Sequence, residues 1–423
     1  VVFDRRHDED GRVSETLACR SCGTTKLVPV LSLGRTPLAN ALREEADLTA
    51  PELRVPLDLA VCPVCSLVQI TESVPPTDLF RDYVYFSSFS DTMLRHVSEL
   101  AGRMVVERGL TSRSLVLEAA SNDGYLLKYY QACGVPVLGI EPAVNVAEAA
   151  ILTHGVPTRM EFFTAEFAAQ LVAEGHRADV FHAHNVLAHV PDLNGFVEGI
   201  RTVLKPGGVA VIEAPYVKDM LDHCEFDTIY HEHLCYFSLT ALDRCFSRRG
   251  LKIIHVERVS IHGGSLRIFA APAESREQVS ASVSQLLAEE AAWGVDRPEP
   301  YQNFAARVSD IKAGLRDLLN TLKADGKRIA AYGASAKGST LLNYCEIGGD
   351  TLEFVVDRST VKQGKYTPGT GLKIYAPEKL VEERPDYTLL LTWNFADEIM
   401  RQQREYLKRG GRFIIPIPVP RVA

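Results

Sequence analysis

The sequence predicts an α/β protein in three parts: a small metal-binding module followed by two Rossmann-like units. Three observations predict it. Four of the nine cysteines fall before residue 66, in two CxxC pairs. From residue 114, short apolar runs alternate with helical stretches and small-residue turns, the pattern of a parallel, doubly wound sheet. The same alternation restarts after Gly326. A length of 423 residues agrees with this count, at about one domain per 150 residues. The expected divisions are 1–75, 76–265 and 266–423, the last with a helical lead-in over 277–325 that is interrupted around Gly294 to Pro300.

Composition excludes several classes. With 46% hydrophobic and 24% charged residues the chain has an ordinary globular balance, not that of a disordered polymer. The net charge of −8 argues against a nucleic-acid partner, because phosphate binding needs a basic surface. No apolar run reaches the roughly 20 residues that cross a bilayer, so no membrane partner is expected. The stretch Val1 to Asp10 is charged and lacks the apolar core of a signal peptide. Together with the odd cysteine count, this predicts a cytoplasmic protein with reduced thiols, a monomer or a small homo-oligomer.

The knuckles Cys19-Arg-Ser-Cys22 and Cys62-Pro-Val-Cys65 are separated by 39 residues, positions 23–61. Two such pairs complete a closed tetrahedral zinc site. Four thiolates leave no open ligand position, so the zinc is expected to be structural. A redox CxxC would need a thioredoxin-like βαβ setting, which the flanking strand-like runs do not provide. Residues 76–95, crowded with aromatic and hydroxyl side chains, read as a lid or a packed linker, with the linker preferred.

In the first α/β unit the strand Ser114 to Ala119 ends in the turn Ala120-Ser-Asn-Asp-Gly124. Its small residues permit close backbone approach to a ligand, but the GxGxxG spacing that cradles a pyrophosphate is missing. Glu141 ends the next strand, where a carboxylate can accept from both hydroxyls of a ribose. A ribose without a pyrophosphate describes S-adenosylmethionine. In the second unit Tyr332-Gly-Ala-Ser-Ala-Lys337 joins strand to helix, either as an anion seat for a diphosphate or as an ordinary turn with a surface lysine. Between them lies Tyr230-His-Glu-His233. Its spacing is not HExxH, so a zinc hydrolase is disfavoured; Tyr, Glu and His together suit proton transfer or a hydrogen-bonded cluster.

These pieces, in this order, resemble the S-adenosylmethionine-dependent sugar C-methyltransferases, which act on thymidine-diphosphate-linked ketosugars in making branched deoxysugars for antibiotics. The resemblance rests on the two knuckles, Asn122-Asp-Gly124, Gly139-Ile-Glu-Pro142, Asn185-Val-Leu-Ala-His189, Tyr230-His-Glu-His233, His262-Gly-Gly264, Tyr332-Gly-Ala-Ser-Ala-Lys337 and Thr392-Trp-Asn394. It implies a class I methyltransferase domain in the middle of the chain and a nucleotide-sugar domain at its end. It places the catalytic roles on Tyr230, Glu232 and His233, with the histidine as base and the tyrosine near the keto oxygen. The residues themselves are read with Glu232 holding His233, and with the roles of Tyr230 and His233 open to exchange.

Cofactor contacts are expected from Glu118, Ala120, Asn122 and Gly124, from Glu141 and Pro142, and from Asn185. Tyr85, with Tyr83, falls in a segment that lines the site in the family. Substrate contacts are expected from Tyr332, Ser335 and Lys337, and from His262, Gly263 and Asn394. One departure stands out: Ala120 occupies a position where class I methyltransferases often carry glycine. Two other functions remain open on the sequence: an O- or N-methyltransferase for another small molecule, and a non-catalytic nucleotide-sugar-binding zinc protein.

Overall fold

Each cysteine pair sits at a tight turn beside a strand. Cys19 and Cys22 precede β1 (Val28–Pro37), while Cys62 and Cys65 join β2 (Arg54–Val61) to β3 (Val68–Ile70). These come from a computed structural model that describes residues 17–75, 79, 87–259 and 261–423; Tyr83 and Tyr85 lie outside the described residues. The further strands are β4 (Val116–Ala119), β5 (Val137–Ile140), β6 (Thr158–Arg159), β7 (Ala178–His184), β8 (Leu204–Pro215), β9 (Cys235–Tyr236), β10 (Leu251–Val259) and β11 (Ser265–Pro272). The C-terminal part adds β12 (Ile329–Tyr332), β13 (Val355–Val356), β14 (Ile374–Tyr375), β15 (Tyr387–Leu390), β16 (Arg412–Ile415) and β17 (Arg421–Val422).

Among the described residues the strands form three sheets, ordered β1-β2-β3-β9, β10-β11-β8-β7-β4-β5-β6 and β14-β13-β12-β15-β16-β17. In the second, β6 to β8 run parallel, and β11 enters antiparallel between β8 and β10. This is the class I methyltransferase arrangement. Its strand order reverses between β4 and β7, and the crevice beyond the carboxyl ends of those strands is where such sheets hold ligands. The third sheet is parallel from β14 to β16 and reverses between β12 and β15. The Rossmann-like reading of both units therefore holds.

Local chemistry explains the elements. β4 is buried along its whole length, as a central parallel strand covered on both faces must be, and its sequence is accordingly apolar but for Glu118. The helix Leu193–Val203 starts at Asp192, whose carboxylate accepts the Gly195 N–H at 2.9 Å. The helix Val144–His154 stops at Gly155, whose φ of 63° few other residues adopt cheaply.

The division at 265/266 falls inside β11, which pairs with β8 and β10 and so belongs to the methyltransferase sheet. The four-stranded sheet of the zinc module is completed by β9, from the middle of the chain. One buried apolar cluster accordingly runs from Leu59 and Leu67 through Phe226 and Phe237 to Leu341 and Ile414, so the three parts share a core. The helices Ala281–Trp293 and Glu299–Ala324 fill the expected helical lead-in, with the break where Gly294 and the following residues predict it.

Candidate active site

The cysteine cluster is compact. The Cys19 and Cys65 sulfurs lie 3.5 Å apart, as do those of Cys22 and Cys62. All four lie within 4.8 Å of one another, and a zinc tetrahedron with Zn–S bonds of about 2.3 Å needs sulfurs about 3.8 Å apart. Burial pushes the Cys62 thiol up to about 11, and the hydrogen bond with Cys19 and burial raise Cys65 as well. A divalent cation is what would let four such thiols ionise together. The cluster fits a closed structural zinc.

At the switch point of the large sheet, three non-glycine residues take left-handed backbone: Ala120 (φ 52°), Asn122 (φ 49°) and Asn185 (φ 55°). For alanine this costs on the order of 1–2 kcal/mol, and such strain clusters where a ligand needs the backbone. Ala120 thus adopts a backbone conformation that glycine takes without strain. The Ser121 Oγ and Asn185 Oδ1 atoms are buried there with no hydrogen-bond partner. Gly139 leaves room for Ser121, whose Oγ would lie 2.5 Å from a Cβ at that position. Glu141 is buried, and its two oxygens accept the Asn122 and Ala143 N–H groups, each at 2.9 Å. Each carboxylate oxygen keeps a second lone pair for a hydroxyl donor. Burial raises the Glu141 pKa, and the two backbone bonds oppose the shift. Orphaned acceptors, a positive-φ turn and a strand-end acid fit a ribose-bearing cofactor.

Other expected cofactor residues do different work. Glu118 is fully buried; burial above all, then the nearby Glu141 and Asp123 charges, raises its pKa well above the carboxylate range. At Gly124 (φ 77°) an added Cβ would meet the Val156 side chain at 2.9 Å, so this glycine serves the turn and its packing. The Asn122 Oδ1 accepts the Ser87 N–H at 2.9 Å, tying the turn to the segment before the helix Asp91–Glu107. Pro142 is half-buried beside Glu141.

The segment 230–233 divides two ways. Tyr230 and His233 face each other, with Tyr230 Oη 2.9 Å from His233 Nε2. His233 Nδ1 lies 2.9 Å from the Thr228 carbonyl, which only accepts, so Nδ1 carries the proton and Nε2 offers its lone pair to the phenol. His231 and Glu232 turn instead to the zinc module. His231 Nε2 lies 3.1 Å from the Pro56 carbonyl, and Asn40 Nδ2 donates to both Glu232 oxygens at 2.9 and 2.8 Å. Burial pushes Glu232 up to about 7, opposed by the Asn40 bond. The expectation that Glu232 holds the His233 ring is therefore corrected: a main-chain carbonyl fixes the tautomer. Asn40 was not singled out in the sequence, and a lone Asn in a loop carries no signal that would have found it.

The loop after β12 holds its lysine against the methyltransferase domain. Lys337 Nζ lies 3.6 Å from Glu225 Oε2 and 3.8 Å from Asp227 Oδ1, and 4.8 Å from the Trp393 ring centre. Trp393 Nε1 donates to Asp227 Oδ2 at 2.7 Å. The lysine's charge faces two carboxylates, which would repel a diphosphate. Ser335 caps the helix Ala336–Cys345 by accepting the Gly338 N–H at 3.1 Å. Tyr332, an expected substrate residue, is buried in an apolar cluster with Phe354, Tyr406 and Phe413. Gly263 packs on Glu225, whose oxygens would lie 2.9 and 3.0 Å from a Cβ there. His262 sits in the short turn Ile261–Gly263, and Asn394 is exposed.

The chain matches three family models: "Putative zinc binding domain" over residues 19–80, "Methyltransferase domain" over 92–256 and "C-methyltransferase C-terminal domain" over 260–418. It is 39% identical over 404 residues to C-methyltransferase NovU from Streptomyces niveus, covering 96% of each chain. A ubiquinone biosynthesis O-methyltransferase of Methylobacterium nodulans is 30% identical over 122 residues, covering 28% of this chain and 46% of that protein. Magnesium protoporphyrin IX methyltransferase (ChlM) from Synechocystis PCC 6803, solved with bound S-adenosylmethionine, shares 14% identity at a TM-score of 0.33 over 42% of this chain and 79% of that one, a likeness too loose to carry weight. Near-full-length identity to NovU, together with three matched domains in the same order as the three sheets, leaves one assignment: this chain belongs to the family of S-adenosylmethionine-dependent C-methyltransferases with an N-terminal zinc-binding domain.

Proposed function

We propose that the chain methylates a carbon next to the ketone of a nucleotide-linked deoxysugar, a thymidine-diphosphate ketosugar, in the making of an antibiotic or related secondary metabolite. The observation that carries the mechanism is the Tyr230–His233 pair with Nδ1 bonded to the Thr228 carbonyl. A carbon nucleophile must first lose a proton, and a neutral histidine with a fixed tautomer is a base suited to neutral pH. His233 Nε2 takes the α-proton. Once Nε2 is protonated it donates to the Tyr230 oxygen, which frees the phenolic proton to stabilise the enolate oxygen. The Thr228 carbonyl stabilises the resulting imidazolium through Nδ1–H.

Glu141 and the strained turn 120–124 would hold the adenosyl ribose, with Ser121 and Asn185 offering their unpartnered oxygens. S-adenosylmethionine supplies an electrophilic methyl group. The sugar identity rests on the family resemblance and on the second α/β unit.

The test is product analysis with a thymidine-diphosphate ketosugar and isotopically labelled S-adenosylmethionine. A methyl bonded to carbon by NMR supports the reading. A methyl on oxygen or nitrogen, or no transfer to any nucleotide sugar, overturns it.

A further inference from the structure

In doubly wound sheets the crevice at the strand-order reversal takes a ligand. In the C-terminal unit that reversal lies between β12 and β15, and it is flanked by Lys337 after β12 and Trp393 after β15. Both side chains are engaged with Glu225 and Asp227 of the chain's own methyltransferase domain. The helix Ala336–Cys345 continues the grip: Thr340 Oγ1 donates to the Ile229 carbonyl at 3.0 Å, and the Tyr344 ring meets Phe226 edge-on at 5.3 Å. Residues 337, 340 and 344 stand at helical spacing on one face. Their partners named here in the methyltransferase domain all lie within Glu225–Ile229.

That short segment contains the Thr228 carbonyl, which accepts the His233 Nδ1–H. On its far side, β9 (Cys235–Tyr236) pairs with β3 of the zinc module. The stretch bearing Tyr230 and His233 is thus clamped at both ends by the two flanking domains. Asp227 is fully buried and is also bonded to the backbone at residues 227 and 228, so removing Lys337 or Trp393 leaves its carboxylate short of a partner and loosens the hold on the main chain that presents the Thr228 carbonyl.

We propose that Lys337 and Trp393 are positioning residues for the base: through Asp227 they aim the Thr228 carbonyl at His233 Nδ1 and so fix the tautomer in which Nε2 carries the lone pair, shared at rest with the Tyr230 hydroxyl. The inference rests on the reading of His233 as the base, and its test separates the two.

The variants are Trp393→Phe, which keeps the ring and loses the donor, Lys337→Gln, and Lys337→Arg as a conservative rescue. The readouts are kcat, KM for each ligand, the pH profile of kcat, and the histidine tautomer from nitrogen-15 NMR of histidine-labelled folded protein. Trp393→Phe and Lys337→Gln are expected to lower kcat on the order of 10- to 100-fold, the scale of a misplaced catalytic group, with ligand KM values changed by less than about twofold. The His233 signals should shift from pure Nδ1–H to a mixture, and the acid limb of the pH profile should move. Lys337→Arg should recover most of kcat. Wild-type kcat, pH profile and tautomer in both variants, while His233→Asn is inactive, overturn the positioning role and leave the base standing. A raised substrate KM with unchanged kcat and tautomer overturns it in favour of a phosphate-binding lysine. Wild-type turnover in His233→Asn removes the base and this proposal with it.

Discussion

Asn40 of the zinc module donates to both carboxylate oxygens of Glu232, a residue 192 positions away and beside the candidate base. The contact gives the N-terminal module a direct hold on the active-site segment, and it sets a balance: burial favours the protonated carboxyl, the amide favours the charge. Since burial wins and Glu232 sits near 7, the folded state binds its proton more tightly than the unfolded chain does. The stability this contributes is present below the ordinary carboxylate pKa of about 4.3 and is lost as pH rises towards 7. We expect Tm of the native protein to fall between pH 4.5 and 7 more steeply than that of Glu232→Gln. Asn40→Ala should extend the fall to higher pH. Parallel Tm–pH curves for all three proteins would refute the assignment.

The zinc site should control activity without touching the reacting atoms. We expect one zinc per chain by metal analysis, retained through gel filtration and lost in Cys62→Ser. Because β9 completes the zinc module's sheet just after His233, removal of zinc by a chelator should lower kcat as well as Tm. Zinc re-addition should restore both. A zinc-free protein with native Tm and kcat would show that the sheet holds the segment unaided.

Glu141 is bonded to the backbone within the turn, at Asn122, and just after its own position, at Ala143. Glu141→Ala therefore removes an expected ribose acceptor and leaves two buried N–H groups unpaired. Each such loss costs about 1–3 kcal/mol. Calorimetry is expected to show affinity for S-adenosylmethionine reduced by about 5- to 150-fold, with substrate KM little changed. Unchanged affinity would place the ribose elsewhere.

What could be read in the sequence was local. Chelation confines metal ligands to short spacings, so Cys19, Cys22, Cys62 and Cys65 announced their cluster. A strand followed by small residues and an acid marked β4, its turn and Glu141. What could not be read depends on which distant surfaces meet. Nothing in the sequence around Cys235 marks a partner for Val68 and Gln69 of β3. Lys337 is a basic residue in a small-residue turn whether it faces phosphate or carboxylates; only the fold brings Glu225 and Asp227 to it. Two further features did have a signal. Strand alternation puts Tyr332 on the same face as Ala330, in the core of the C-terminal unit, and opposite Ala331. The apolar runs on either side of Gly263 and Gly264 mark the hairpin of β10 and β11.

The base itself gives the sharpest prediction. His233 Nε2 is directed at Tyr230 and Nδ1 at the Thr228 carbonyl, so the ring has a single position at which to receive a proton. Positioned general-base catalysis contributes about 10²–10⁴-fold, and His233→Asn should lower kcat by a factor in that range with little change in the binding of either ligand. Tyr230→Phe removes the hydrogen bond to the enolate oxygen and leaves the base, so it should slow turnover by less. Solvent exchange of the substrate α-proton isolates the step. With S-adenosylhomocysteine in place of the methyl donor, the wild-type protein should exchange that proton with deuterated water, Tyr230→Phe more slowly, and His233→Asn not measurably. If His233→Asn still exchanges at the wild-type rate and Tyr230→Phe does not, the phenol and not the imidazole removes the proton.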